Sequence, residues 1–176
     1  HNALPEESIV HWHGLHIPQK MDGHPMYVIG TGRRYVYEFV VHARAGSYWF
    51  HPHPHRRTGI QVYRGLSGLF IVGDEEEDAA ELPSGPHDIA WVLQDRVFSR
   101  DNQLVYARNH MQMMSGYTGD RILVNGRPAH VESVAATAYR VRILNGSNVR
   151  FYKLALDDNR PLTVIGTDGG LLETPV

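Results

Sequence analysis

Short runs with a two-residue period, each closed by turn-forming residues, fill this chain, and no segment keeps a long helical period. The clearest run sets Tyr35, Tyr37, Phe39 and Val41 against Val36, Glu38 and Val40. In an extended strand, residues two apart point to one face, so this period marks a half-buried strand. Comparable runs lie at 8–13, 47–53, 67–72, 88–93, 121–124, 139–144, 151–156 and 162–167. Between them stand Gly30-Thr31-Gly32, Ala45-Gly46, Asn125-Gly126, Asn145-Gly146 and Asp157-Asp158-Asn159-Arg160-Pro161. Glycine, asparagine, aspartate and proline are the residues that tight turns select. Short strands at this spacing predict an all-β chain folded as a sandwich or barrel. One stretch, from Thr58 to about Arg64, reads as a short helix with Thr58 as its N-cap.

The pattern breaks once, at the acidic run Asp74-Glu75-Glu76-Glu77-Asp78 and the following Leu82-Pro83-Ser84-Gly85-Pro86. Like charges in a row repel and stay hydrated, so 74–86 reads as a solvated linker between parts 1–73 and 87–176. A net charge of −2 leaves no electrostatic footprint for nucleic acid. No apolar run approaches the roughly 20 residues that a membrane span requires. The chain opens His-Asn-Ala-Leu-Pro, with no basic-then-apolar signal segment, which leaves localisation open. Cysteine is absent, which excludes disulfides, thiolate metal sites and thiol nucleophiles within these residues.

Histidine is distributed very unevenly. Of 12 histidines, nine lie at or before His55. Two segments hold the chemistry: His11-Trp12-His13-Gly14-Leu15-His16, and Trp49-Phe50-His51-Pro52-His53-Pro54-His55. On strands, His11 and His13 project to one side, as do His51 and His53. Neighbouring strands would then bring four imidazoles to one place. Pro52 and Pro54 cannot donate to a sheet ladder, so the second segment belongs at an edge or strand end. All-imidazole donor sets suit copper, zinc, iron or nickel, and copper heads the affinity order. Hydrolytic zinc sites usually mix in a carboxylate or keep three histidines and a water. Pro54 and His55 stand where a His-x-His-x-Asp-His hydrolase needs its acid. His1, His24, His42, His87, His110 and His130 read as ordinary histidines. His16 and His55 read as neighbours that tune a metal site through hydrogen bonds.

At these residues the chain resembles a known family. His-Trp-His-Gly-Leu-His-Ile-Pro at 11–18 is similar to the first copper motif of multicopper oxidases. The second motif is matched by Trp-Phe-His-Pro-His-Pro-His-Arg-Arg-Thr-Gly-Ile-Gln-Val-Tyr-Arg-Gly-Leu-Ser-Gly at 49–68. The likeness runs to the bacterial branch of laccases and periplasmic cuprous oxidases. It continues through Val92-Leu93-Gln94-Asp95, Leu144-Asn145-Gly146, 157–161 and Gly166-Thr167-Asp168-Gly169-Gly170. The resemblance implies cupredoxin-like Greek-key β-sandwich domains. A partial first domain (1–73) would carry the copper motifs, and the opening of a copper-free second domain (87–176) would follow. It also implies half of a trinuclear copper cluster that reduces dioxygen to water, with His11 as the type 2 ligand. His13, His51 and His53 would serve the type 3 pair. Asp22 falls where the family often keeps an acid that relays protons, and His55 falls at a position that is not normally a direct ligand. Trp12 and Trp49 would pack the site and limit water.

The family's Cys-bearing type 1 motif is missing here, so the resemblance implies an internal piece completed by a further cupredoxin domain or a partner chain. The expected reductant is a phenol, an aromatic amine or Cu(I), and the expected location is periplasmic or secreted. Two alternatives stand beside the oxidase: a copper-binding or assembly module without turnover, and a mononuclear zinc hydrolase. Met111, Met113 and Met114 read as a flexible loop or as gap-filling side chains rather than a Cu(I) site.

Overall fold

The computed structural model describes residues 1–107 and 109–176. Strands β1 (Val10–His13), β2 (Gly46–Pro52) and β3 (Gly68–Val72) form an antiparallel sheet in that order. Helix α1 (Thr58–Tyr63) joins β2 to β3, and α2 (Glu75–Ala79) follows β3. The long strand β4 (Asp88–Phe98) is the spine of a second sheet. It pairs antiparallel with β5 (Leu104–Val105); α3 (His110–Ser115) follows, and then β6 (Arg121–Val124), also antiparallel to β4. β6 turns back into β7 (Arg127–Pro128), and β8 (Arg140–Asn145) runs parallel to the first half of β4. A hairpin of β9 (Gly166–Thr167) and β10 (Gly170–Leu171) completes the elements. Among the described residues, no helix is long and apolar enough to cross a membrane.

The first sheet owes its shape to the two-residue period. Trp12 points away from His11 and His13 and packs its ring against Tyr37, Phe39, Phe50 and Phe70, with centroids 5.5 to 5.9 Å apart. Edge-on aromatic contacts of this kind add to plain burial. Gly68 lies opposite Phe50, and a Cβ there would stand 2.8 Å from the ring, so only glycine lets Phe50 close over β3. Tyr63 of α1 is buried against Tyr106 and Tyr117, beneath the Arg96 guanidinium at 4.6 Å. Its hydroxyl accepts the Val97 N–H at 2.7 Å, which ties α1 to β4.

Several expectations are corrected. The acidic run is exposed at Glu75, Glu76 and Asp78, but Asp74 caps α2 by accepting the Glu77 N–H, and the Glu77 side chain is only 10% exposed. Glu77 accepts from Arg140 at 2.6 Å and Arg142 at 2.9 Å, and Asp88 accepts from both arginines at 2.6 and 3.0 Å. Charges leave water here because each carboxylate serves two guanidinium groups. In α1 the cap is Arg57; Thr58 instead donates its hydroxyl to the Pro54 carbonyl. Residues 35–41 alternate in burial as expected, with Tyr37 and Phe39 packed on Trp12, but their backbone joins no strand among the described residues. Among the described residues, 151–156 pair with nothing, and only Gly166–Thr167 of 162–167 enters a hairpin. The period alone cannot supply a partner strand. Met111, Met113 and Met114 sit exposed on α3 rather than in a loop or gap.

Candidate metal centre

The β1–β2 register builds the site. His11 lies directly opposite His51, and His13 opposite Trp49. Directly opposed residues share a face, so His11, His13, Trp49 and His51 all project to the side away from Trp12. The His53 N–H donates to the Ile9 carbonyl at 3.0 Å, carrying the pairing past the strand end. Ring centroids are 5.1 Å apart for His11–His51, 5.6 Å for His11–His13 and 5.5 Å for His11–His53. One ring nitrogen each from His11, His13 and His51 falls within 4.8 Å of the others. His53 stands beside this trio, its ring 5.8 Å from that of His51. His55 is exposed and outside the cluster.

Backbone carbonyls set the ring protons. Nδ1 of His51 donates to the Pro52 carbonyl at 2.9 Å, and Nδ1 of His11 to the Asp22 carbonyl at 2.9 Å. A carbonyl only accepts, so in each neutral ring Nε2 keeps a bare lone pair. Nδ1 of His13 lies 3.5 Å from Nε2 of His51. Burial holds the His51 pKa below the ordinary histidine value; the Pro52 carbonyl opposes the shift, while the His11, His13 and His53 rings add to it. Trp49 stacks on His13 at 4.7 Å and on His51 at 4.5 Å, and so covers the cluster. Trp12 supports the site from behind the sheet rather than touching the rings' open side.

Asp22 reaches the site by way of Gly23. That glycine has φ +73°, and a Cβ on it would lie 2.2 Å from the Val10 carbonyl oxygen. The turn therefore presses on β1, bringing Asp22 Oδ1 to 3.0 Å from Nδ1 of His11. The single Nδ1 proton goes to the carbonyl, leaving Oδ1 buried without a hydrogen bond. Bare imidazole lone pairs beside an unsatisfied carboxylate oxygen fit a bound cation of the imidazole-binding metals. The two carbonyls and Gly23 escape a reading by side-chain type; the signal for Gly23 was its place after an acid close to the first motif.

The comparisons agree with this geometry. The family profile described as multicopper oxidase matches residues 1–77. The multicopper oxidase mco of Staphylococcus aureus is 37% identical over 172 residues, spanning 98% of this chain and 38% of its own length. The crystal structure of the McoA multicopper oxidase from the hyperthermophile Aquifex aeolicus superposes with a TM-score of 0.89 at 46% identity. That match covers 99% of this chain and 39% of McoA. Residues 1–77 match the multicopper oxidase family, and the rest of the chain is similar to members of that family. A laccase of Bacillus stratosphericus is 35% identical over 196 residues, covering the whole of this chain. The cell division protein FtsP of Escherichia coli is 32% identical over 177 residues. This chain spans about 38% of the length of these curated relatives and 37% of FtsP. As in the multicopper oxidases it matches, the fold is mostly β, of the cupredoxin-like kind, with a few short helices. Copper is the metal of that family.

Proposed function

We propose that this chain supplies half of a trinuclear copper cluster in a laccase-like or cuprous oxidase. The whole enzyme would couple one-electron oxidation of a reductant to four-electron reduction of dioxygen to water. The observation that carries this reading is the convergence of His11, His13 and His51 on one face, with the ring protons of His11 and His51 directed to backbone carbonyls. By motif position, His11 serves the type 2 copper, and His13, His51 and His53 serve the type 3 pair. Copper, when bound, supplies the one-electron steps between reductant and dioxygen. The Pro52 and Asp22 carbonyls hold the tautomers, Trp49 limits water access, and the Asp22 carboxylate beside His11 relays protons. Parts 1–73 and 87–176 correspond to two cupredoxin domains meeting at 74–86.

The remaining ligands and the Cys-bearing type 1 centre come from a further cupredoxin domain or a partner chain. The reductant is a phenol, an aromatic amine or Cu(I), and the setting is periplasmic or secreted. A second reading is a copper-binding or assembly module without turnover; a relative named as a cell division protein rather than an oxidase supports the absence of turnover.

The test is copper reconstitution of the purified chain, with elemental analysis and intact mass on one sample. Copper should bind to the chain and be lost from the double variant His51→Ala, His53→Ala. Equal copper in the double variant would overturn the site. Dioxygen uptake on restoring a Cys-bearing domain separates the oxidase from the binding module.

A further inference from the structure

A cleft lies between the α1–β3 connection and one face of β4, with a volume of about 450 Å³. Gln94 and Arg96 alternate onto this face, and Arg64 and Ser67 close it from the first sheet. No carboxylate lines it. Arg96 is 2% exposed and makes no ion pair among the described residues; two of its N–H groups donate to the Asp95 and Val62 carbonyls. The neighbouring Asp95 carboxylate is taken by Arg150. Gln94 is 7% exposed, and its amide has no hydrogen-bond partner among the described residues. The Ser67 hydroxyl is likewise buried and unpaired. Arg64 stands at the mouth, held by Glu6 at 3.2 Å. Phe98, Leu104 and Leu123 form apolar walls beside these donors.

A buried cation without an ion pair among the described residues, beside a buried unpaired hydroxyl and a Gln94 amide left free of protein partners, is a costly arrangement for a structural core. Its volume falls within the range of small-ligand sites, which pair apolar walls with a few placed polar groups. We infer that this cleft binds a small carboxylate with an apolar body, its oxygens facing Arg96, Gln94 and Ser67 and its body lying on Phe98, Leu104 and Leu123. The site is separate from the histidine cluster, and the inference does not rest on the copper reading.

Benzoate is the probe, titrated calorimetrically into the purified full chain, with benzyl alcohol as the neutral analogue and inorganic phosphate as the anion without an apolar body. One benzoate should bind per chain, with benzyl alcohol and phosphate each weaker by about tenfold or more. Arg96 also holds Tyr63, so its removal endangers the fold; Gln94→Leu and Ser67→Ala carry the test instead. Each should weaken benzoate by about tenfold while leaving the thermal unfolding midpoint within a few degrees. Three outcomes would overturn the site: no saturable benzoate binding up to about 10 mM, benzyl alcohol or phosphate binding as well as benzoate, or unchanged affinity in both variants.

Discussion

His11 on β1 and His51 on β2 face each other in direct register, their ring centroids 5.1 Å apart, each Nδ1 tied to a backbone carbonyl. The two rings are thus oriented before any ion arrives. Pre-orientation of this kind lowers the entropy lost on binding, because few rotamers remain to be fixed. The same arrangement makes the site sensitive to small displacements of the strands or of the turn that holds Asp22.

Removing both members of that pair tests the site most directly. His11→Ala together with His51→Ala should lower copper affinity by more than about a hundredfold, beyond what loss of a supporting hydrogen bond costs. His130 pairs with Glu132, away from the cluster, and His130→Ala should leave copper content unchanged. A competition titration against a chelator of known affinity reads both.

Gly23→Ala should be destructive out of proportion to its size. The added methyl meets the Val10 carbonyl at 2.2 Å in a backbone conformation that L-residues avoid, so the turn must move off β1. The expected cost is about 2–4 kcal/mol of stability. Urea denaturation measures the loss, and copper affinity should fall with it because the Asp22 carbonyl leaves His11.

Glu77 binds the first sheet to the second. Glu77→Ala leaves Arg140 and Arg142 with only Asp88 between them, in a site where Arg142 also reaches Ser47 on β2 at 3.0 Å. Breaking a buried ion pair from one side costs about 3–5 kcal/mol. Replacing the exposed Glu75 by alanine should cost less than about 0.5 kcal/mol. Parallel denaturation curves compare the two.

Acid should act through Asp95. Burial alone would raise its pKa, but hydrogen bonds from the Ser147 hydroxyl, the Gly119 N–H and Arg150 bring it below the ordinary aspartate value. Unfolding therefore takes up a proton in acid. The stability contributed by this carboxylate is complete above the ordinary value, near pH 4, and is lost as pH falls through the lowered one. Asp95→Asn should be less stable at neutral pH, with a shallower loss of stability below about pH 5. Identical slopes for the two proteins would rule Asp95 out as the acid-sensitive group.

Much of the site was legible before the fold. The period of two was enough to put His11 with His13 and His51 with His53 on shared faces, and the prolines marked a strand end. The same period misled at 35–41 and 151–156, where alternation had no partner strand to pair with, and the charge run at 74–78 gave no sign that Glu77 leaves the solvent. Glu77 is buried because Arg140 and Arg142 come from more than 60 residues away to meet it. Local composition carries no trace of such a meeting.

The sequence by itself therefore determined the class of the chain, the strands that carry the histidines and the chemical identity of the donors, since these follow from side-chain type and short-range spacing. Tertiary structure alone decided which strand lies beside which, and so that His11 opposes His51. It also decided that the Asp22 and Pro52 carbonyls set the ring protons, and that Arg96 is buried without an ion pair among the described residues. These depend on long-range register and on backbone atoms, and every residue carries the same backbone carbonyl whatever its side chain.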